Sequence, residues 1–186
     1  VTGTPSSLPE GWNLIQGYLI GPQANLLNAD LKRADLEGTN INQVVLAGAN
    51  LVGVQSGGIL GKPKNLPKSW KLENGYLVGP GANLIGADLR EANLAGVNLQ
   101  GVNLKNAALR GANLQGVRSG KITGKPASLP ENWSLRSGYL IGPGANLTGV
   151  SLDGVNLTGV NLTGTNLVNT NLTGVQSGLI LSLIHI

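Results

Sequence analysis

The chain has 186 residues, 41% of them hydrophobic but only 3% aromatic, with 3 Trp, 3 Tyr and no Phe, so its core must be built from small aliphatic side chains rather than large rings. With no cysteine, a disulfide framework, a thiolate metal site and a cysteine nucleophile are all excluded. Charged residues are 12% and sum to +4, too apolar a balance for disorder despite 29 Gly, and no apolar run reaches the roughly 18–20 residues of a membrane span.

In chain order, an insert comes first, at about residues 1–23. It contains Gly3-Thr-Pro-Ser-Ser-Leu-Pro-Glu-Gly-Trp12 and a GYLIGP run from Gly17 to Pro22. Then leucine, once isoleucine, recurs every fifth residue: Leu26, Leu31, Leu36, Ile41, Leu46, Leu51. A small residue sits two before each of the first four, at Ala24, Ala29, Ala34 and Thr39. A period of five fits neither the helical 3.6 nor the strand 2.0, so the chain must bend once per pentad. The residue two after each leucine is often glycine, as at Gly38, Gly48 and Gly53, or asparagine, as at Asn28, which suits the left-handed third position of a type II turn. If four sides close a coil, the leucine and the small residue point inward, coils stack about 4.8 Å apart as in a parallel sheet, and residues 20 apart lie over one another.

The second insert, about 56–81, repeats the first as Gly61-Lys-Pro-Lys-Asn-Leu-Pro-Lys-Ser-Trp70 with a run from Gly75 to Pro80. Counting by fives forward from Leu51 gives Ser56, Gly61 and Leu66; counting back from Leu84 gives Gly79 and Asn74. The step from Leu66 to Asn74 implies three extra residues, expected at Pro67 to Trp70 as a proline-anchored bulge with Trp at its edge, because proline cannot donate to the ladder. Leu77 with Gly79 is read as the inward pair there. The second block runs Leu84, Leu89, Leu94, Leu99, Leu104, Leu109, Leu114. It places Asn93 over Asn113, where stacked amides can form a ladder. The third insert, about 119–144, carries Gly124-Lys-Pro-Ala-Ser-Leu-Pro-Glu-Asn-Trp133 and a run from Gly138 to Pro143. Trp12 to Trp70 is 58 residues and Trp70 to Trp133 is 63, so the three bulges are not expected to share one edge. The third block runs Leu147, Leu152, Leu157, Leu162, Leu167, Leu172.

Residues 1–180 read as a single repeat domain. Val1 aligns with Ile59 and Ile122, and Gln176-Ser-Gly-Leu-Ile180 begins another insert, so the chain is expected to be part of a longer protein. Leu181 to Ile186 departs from the repeat and reads as a cloning or sequencing-adapter remnant, the alternative being a short hydrophobic cap.

The recurring A(N/D)LxG pattern, in 19 in-phase pentads, resembles the pentapeptide-repeat family. The resemblance implies an all-β fold, a right-handed four-sided parallel β-helix, here with Pro- and Trp-containing inserts. Family members often place Phe, and sometimes Cys, inside; this chain has neither and is expected to form a slender leucine-filled tube.

No catalytic, cofactor-binding or metal-binding residue is identified. His185 is the only histidine and lies in the atypical tail, so a histidine base or ligand set is unsupported. Asp30 and Asp35 fall on adjacent sides, and Asp88 with Glu91 reads as a solvated rim beside Arg90. The Gly-Pro-Gly-Ala-Asn-Leu runs at 79–84 and 142–147 lack the Lys-Ser/Thr of a phosphate loop. Thr148, Thr158, Thr163 and Thr173 do not stack on one another in steps of 20, so a flat threonine array is not expected.

Two surface features are candidate partner sites. Lys62, Lys64, Lys68 and Lys71 cluster in the second insert, echoed by Lys121, Lys125 and Arg136 in the third, while Arg90 and Arg110 should stack on one face. These serve either solvation or an anionic partner. Trp12, Trp70 and Trp133 are lids over the bulges or a stacking platform. The leading functional expectation is a non-enzymatic structural or protein-interaction scaffold, because a repeat rod offers contact surface and no pocket. One alternative is a binder of anionic polymer or nucleic acid through the insert lysines. The other comes from the resemblance, whose quinolone-resistance members mimic DNA and bind gyrase, a role opposed by the net positive charge. Another protein is the expected partner, and unpaired strand edges at open ends favour end-to-end self-association.

Overall fold

Each pentad forms a short extended side and a bend, and the bend sets the architecture. In the turn from Leu26 to Ala29, the Ala29 amide donates to the Leu26 carbonyl at 3.0 Å and Asn28 takes φ 57°. The same left-handed corner is kept where the residue is neither glycine nor asparagine: Arg33, Gln43 and Glu91 have φ 59°, 58° and 57°. Packing of the flanking inward residues therefore imposes this strained conformation on ordinary side chains.

The computed structural model describes Gly3 and residues 5–178; the expected tail at 181–186, with His185, lies outside the described residues. The chain divides into two compact units, Val1–Leu84 and Ile85–Ile186. In each, coils stack through parallel bridges 20 residues apart, such as Asp30 with Asn50 and Asp35 with Gln55 in the first, and Asn93 with Asn113 and Asn146 with Asn166 in the second. The ladder is reciprocal. The Leu26 amide donates to the Val45 carbonyl at 2.9 Å, and the Val45 amide to the Ala24 carbonyl at 3.0 Å.

Inside the first unit, Ala24, Leu26, Ala29, Leu31, Ala34, Leu36, Ile41 and Leu46 are buried together, and in the second Leu147, Leu152, Val155, Leu157 and Leu162 form the same kind of file. Full burial of each such leucine contributes about 1.5–3 kcal/mol relative to exposure. The outward polar residue before each leucine has its own structural task. Its side-chain oxygen accepts the amide two residues on, as Asn113 does from Gln115 at 3.0 Å and Asn156 from Thr158 at 2.8 Å. Coil-to-coil amide contact is present as well, from Asn50 Nδ2 to Asp30 Oδ1 at 3.0 Å. The threonine hydroxyls at 163 and 173 donate to Asn161 and Asn171 Oδ1, both at 2.6 Å.

The inserts differ from the expectation of three extra residues. Gln55 pairs with Asn83 and Arg118 with Asn146, both 28 residues on, so an insert coil carries eight residues beyond the ordinary twenty. The addition is a folded element: strands β3 (Lys71–Glu73) and β4 (Tyr76–Val78) form an antiparallel hairpin. β1 (Asn13–Ile15) with β2 (Tyr18–Ile20) and β5 (Ser134–Arg136) with β6 (Tyr139–Ile141) do the same in the other inserts. Within the first unit, the first hairpin leads into the column of Asn25, Val45 and Asn65, and the second into that of Asp35, Gln55 and Asn83. These columns are two sides apart, so the two hairpins emerge on opposite sides of that unit.

Candidate functional site: the insert hairpins

The second insert shows how a proline-rich sequence is held against the coil. Pro63 and Pro67 are buried, and the Trp70 amide closes a turn onto the Pro67 carbonyl at 3.1 Å. Strands β3 and β4 pair Lys71 with Val78, Leu72 with Leu77 and Glu73 with Tyr76. That leaves Asn74 and Gly75, at φ 49° and 77°, as a two-residue turn of the type Asn-Gly favours.

Three contacts fasten this hairpin to the preceding coil, and a fourth closes its base. The Leu77 amide donates to Ser56 Oγ at 2.9 Å, and the Ile59 amide to the Gly75 carbonyl at 3.1 Å. The Tyr76 ring lies over Gly57, and the Trp70 indole over Gly79, where an added Cβ would stand 2.3 Å from indole Cδ2. The third insert repeats the set: Leu140 to Ser119 Oγ at 2.9 Å, Ile122 to Gly138 at 3.1 Å, Tyr139 over Gly120 and Trp133 over Gly142. In the first insert Trp12 covers Gly21, and Tyr18 Oη accepts the Asp30 amide at 3.1 Å. All three indoles are half-buried against the core and act as lids.

Ser56 and Ser119 are buried, and the sequence reading missed their role. Ser56→Ala leaves the buried Leu77 amide without its acceptor and is expected to cost about 1–3 kcal/mol, measured by urea unfolding, with faster hydrogen exchange at Leu77. An unchanged midpoint and unchanged exchange would show that the serine does not hold the hairpin.

The fold-over of the second and third hairpins leaves a cavity at each. In the second insert it measures about 460 Å³ and is lined by Lys62, Pro63, Leu66, Trp70 and Leu72, with Asn65 and Lys71 completing it. In the third it is about 620 Å³, with Lys125, Pro126, Leu129 and Leu135 in the corresponding places. A smaller polar cleft of about 300 Å³ lies elsewhere in the second unit, between Asn98, Arg118 and Asn146.

Of the sequence-derived candidates, Lys62, Trp70 and Lys71 therefore line one cavity, while Lys64 and Lys68 are exposed beside it. Lys71 is ion-paired to Glu73 at 2.8 Å. Among the described residues no carboxylate pairs with Lys62, Lys64 or Lys68. Trp12 and Trp133 belong to separate inserts. The bridge from Asp88 to Ala108 sets Arg90 beside Arg110 in register, but Arg90 Nη2 lies 2.6 Å from Asp88 Oδ2. The Arg90 side chain and backbone amide hold the Asp88 carboxyl down at about 2, so that arginine is committed to a surface pair.

Among the described residues no group of three or more His, Cys, Asp or Glu could hold a metal ion, and no helix is long and apolar enough to cross a membrane.

The sequence model of the pentapeptide repeats matches in eight copies at residues 23–55, 81–116 and 144–175, together more than half of the chain. No curated protein matches the sequence. Among solved structures, the chain is similar to HetL, a pentapeptide-repeat protein involved in heterocyst differentiation regulation in the cyanobacterium Nostoc. That match has 24% identity over 88% of this chain and 69% of the other, with a TM-score of 0.25. It is also similar to Rfr23, a pentapeptide-repeat protein of the cyanobacterium Cyanothece, with 24% identity over 78% of this chain and 88% of that one and a TM-score of 0.27.

Proposed function

Because this chain belongs to the pentapeptide-repeat family and forms its right-handed four-sided β-helix, we propose that it works as a non-catalytic scaffold that binds another protein. The observation that carries this reading is how the side chains are spent. Leucines and small residues fill the coils, the outward asparagine amides bond to neighbouring backbone, and every buried polar side-chain atom of the described residues has a partner. Such a chain offers a rigid, repeated contact surface, varied chiefly by its three hairpin inserts.

Lys62, Lys64 and Lys68, which pair with no carboxylate among the described residues, support a second reading, a binder of anionic polymer or nucleic acid. A gyrase-directed DNA mimic fits less well, since it needs a continuous acidic face and Asp30, Asp35, Asp88 and Asp153 are few and dispersed, in a chain of net charge +4.

The test is retention from a lysate of the source cells on the immobilised chain, with and without nuclease and at two salt concentrations. A discrete protein, retained in stoichiometric amount after nuclease treatment, is expected. Retention of nucleic acid alone, lost with nuclease or salt, would contradict the scaffold reading.

A further inference from the structure

The second and third inserts hold cavities with the same aliphatic walls but differently placed cations, and Trp70 lines the one where Ile122, Ser137 and Gly138 line the other. Both keep the walls: Pro63, Leu66 and Leu72 in one, Pro126, Leu129 and Leu135 in the other. Both keep the serine anchor and the indole lid. The third insert, however, has Ala127 where the second has Lys64, Glu131 where it has Lys68 and Ser134 where it has Lys71, while Lys121 stands for Gly58 and Arg136 for Glu73, so the two differ in where their cations stand more than in their sum. Lysine at 64 and 68 is therefore not required to fold or dock the hairpin. In the second insert Lys71 is paired with Glu73, but among the described residues Lys62, Lys64 and Lys68 pair with no carboxylate and stand around or beside an apolar cavity, an arrangement that favours a ligand with an apolar anchor and flanking anions.

Nucleic acid is the poorer match. Stacking of bases needs open aromatic faces, whereas one face of Trp70 is closed by Gly79 and the Tyr76 ring lies against Gly57. What the cavity offers instead is largely aliphatic wall. Building on the scaffold reading, we infer that the second insert is a docking site for an acidic linear segment of a protein partner. An aliphatic side chain of that segment enters the cavity between Pro63, Leu66, Trp70 and Leu72, and its carboxylates face Lys62, Lys64 and Lys68.

The test uses the whole chain and fluorescence polarisation with three labelled probes: a glutamate-rich peptide carrying one central leucine, the same peptide with serine there, and an oligothymidylate of equal charge. The leucine peptide is expected to bind best at low salt and to weaken as salt rises. Replacing its leucine by serine should cost about tenfold, the scale of one buried aliphatic side chain. The triple variant K62E/K64E/K68E should lose the peptide while keeping the wild-type melting temperature, and K121E/K125E in the third insert should bind as the wild type does. No peptide binding, equal binding of the serine peptide, or tighter binding of the oligothymidylate would overturn the inference. Failure of the peptide with a protein still retained on the immobilised chain removes this docking site and leaves the scaffold standing. Loss of both removes the scaffold reading too.

Discussion

Leu94→Asp is expected to abolish the cooperative melting transition of the unit Ile85–Ile186, whereas Gln100→Asp should leave it within about 0.5 kcal/mol of wild type. Leu94 is fully buried, and its amide already donates to the Asn113 carbonyl at 2.9 Å. A carboxylate placed there has no cation and no water, which costs several kcal/mol against a typical domain stability of about 5–15 kcal/mol. Gln100 is exposed and loses little by carrying a charge. Circular dichroism melts of the two variants check this directly. Equal destabilisation would mean that the leucines do not face the interior.

The second large effect is expected at Gly79. Its backbone has no left-handed requirement, so the constraint is purely the indole above it, 2.3 Å from where a Cβ would stand. Gly79→Val should push Trp70 off the coil, cost about 1–3 kcal/mol in overpacking, red-shift tryptophan emission and collapse the cavity beside Leu66 and Leu72. The contrasting case is Gly96, with φ 69° and open space around its missing Cβ. Gly96→Ala should cost about 1–2 kcal/mol of backbone strain with no change in emission. A Gly79→Val variant with wild-type emission would show that Trp70 is not the lid.

The coil was readable from the five-residue spacing because each inward leucine repeats the same physical demand, and the bridge from Asn93 to Asn113 falls where that count places it. The corners were readable only where glycine or asparagine marks them. Arg33, Gln43 and Glu91 adopt the same conformation without a local signal, because neighbouring coils enforce it. The insert shows a sharper limit. Counting by fives from Leu51 and Leu84 defines an insertion only up to whole pentads, so three extra residues and eight leave the leucine phase identical; the bridge from Gln55 to Asn83 selects eight. The local signal for the hairpin was nevertheless present in Asn74-Gly75 between KLE and YLV, a turn dipeptide with short strands on both sides. As for the site, the lysines and Trp70 stood out by composition. Their cavity did not, because it exists only once β3 and β4 fold back over Pro63 and Leu66.

The most direct test of the insert architecture exploits the absence of cysteine. Parallel neighbours in a ladder lie about 4.8 Å apart, within the Cα separation a disulfide accepts. Gln55→Cys with Asn83→Cys should therefore oxidise readily and raise the melting temperature. Gln55→Cys with Val78→Cys, the pair that three extra residues would bring together, should remain reduced. Efficient crosslinking of the second pair and not the first would contradict the twenty-eight-residue coil, and with it the hairpin and cavity on which the functional reading rests.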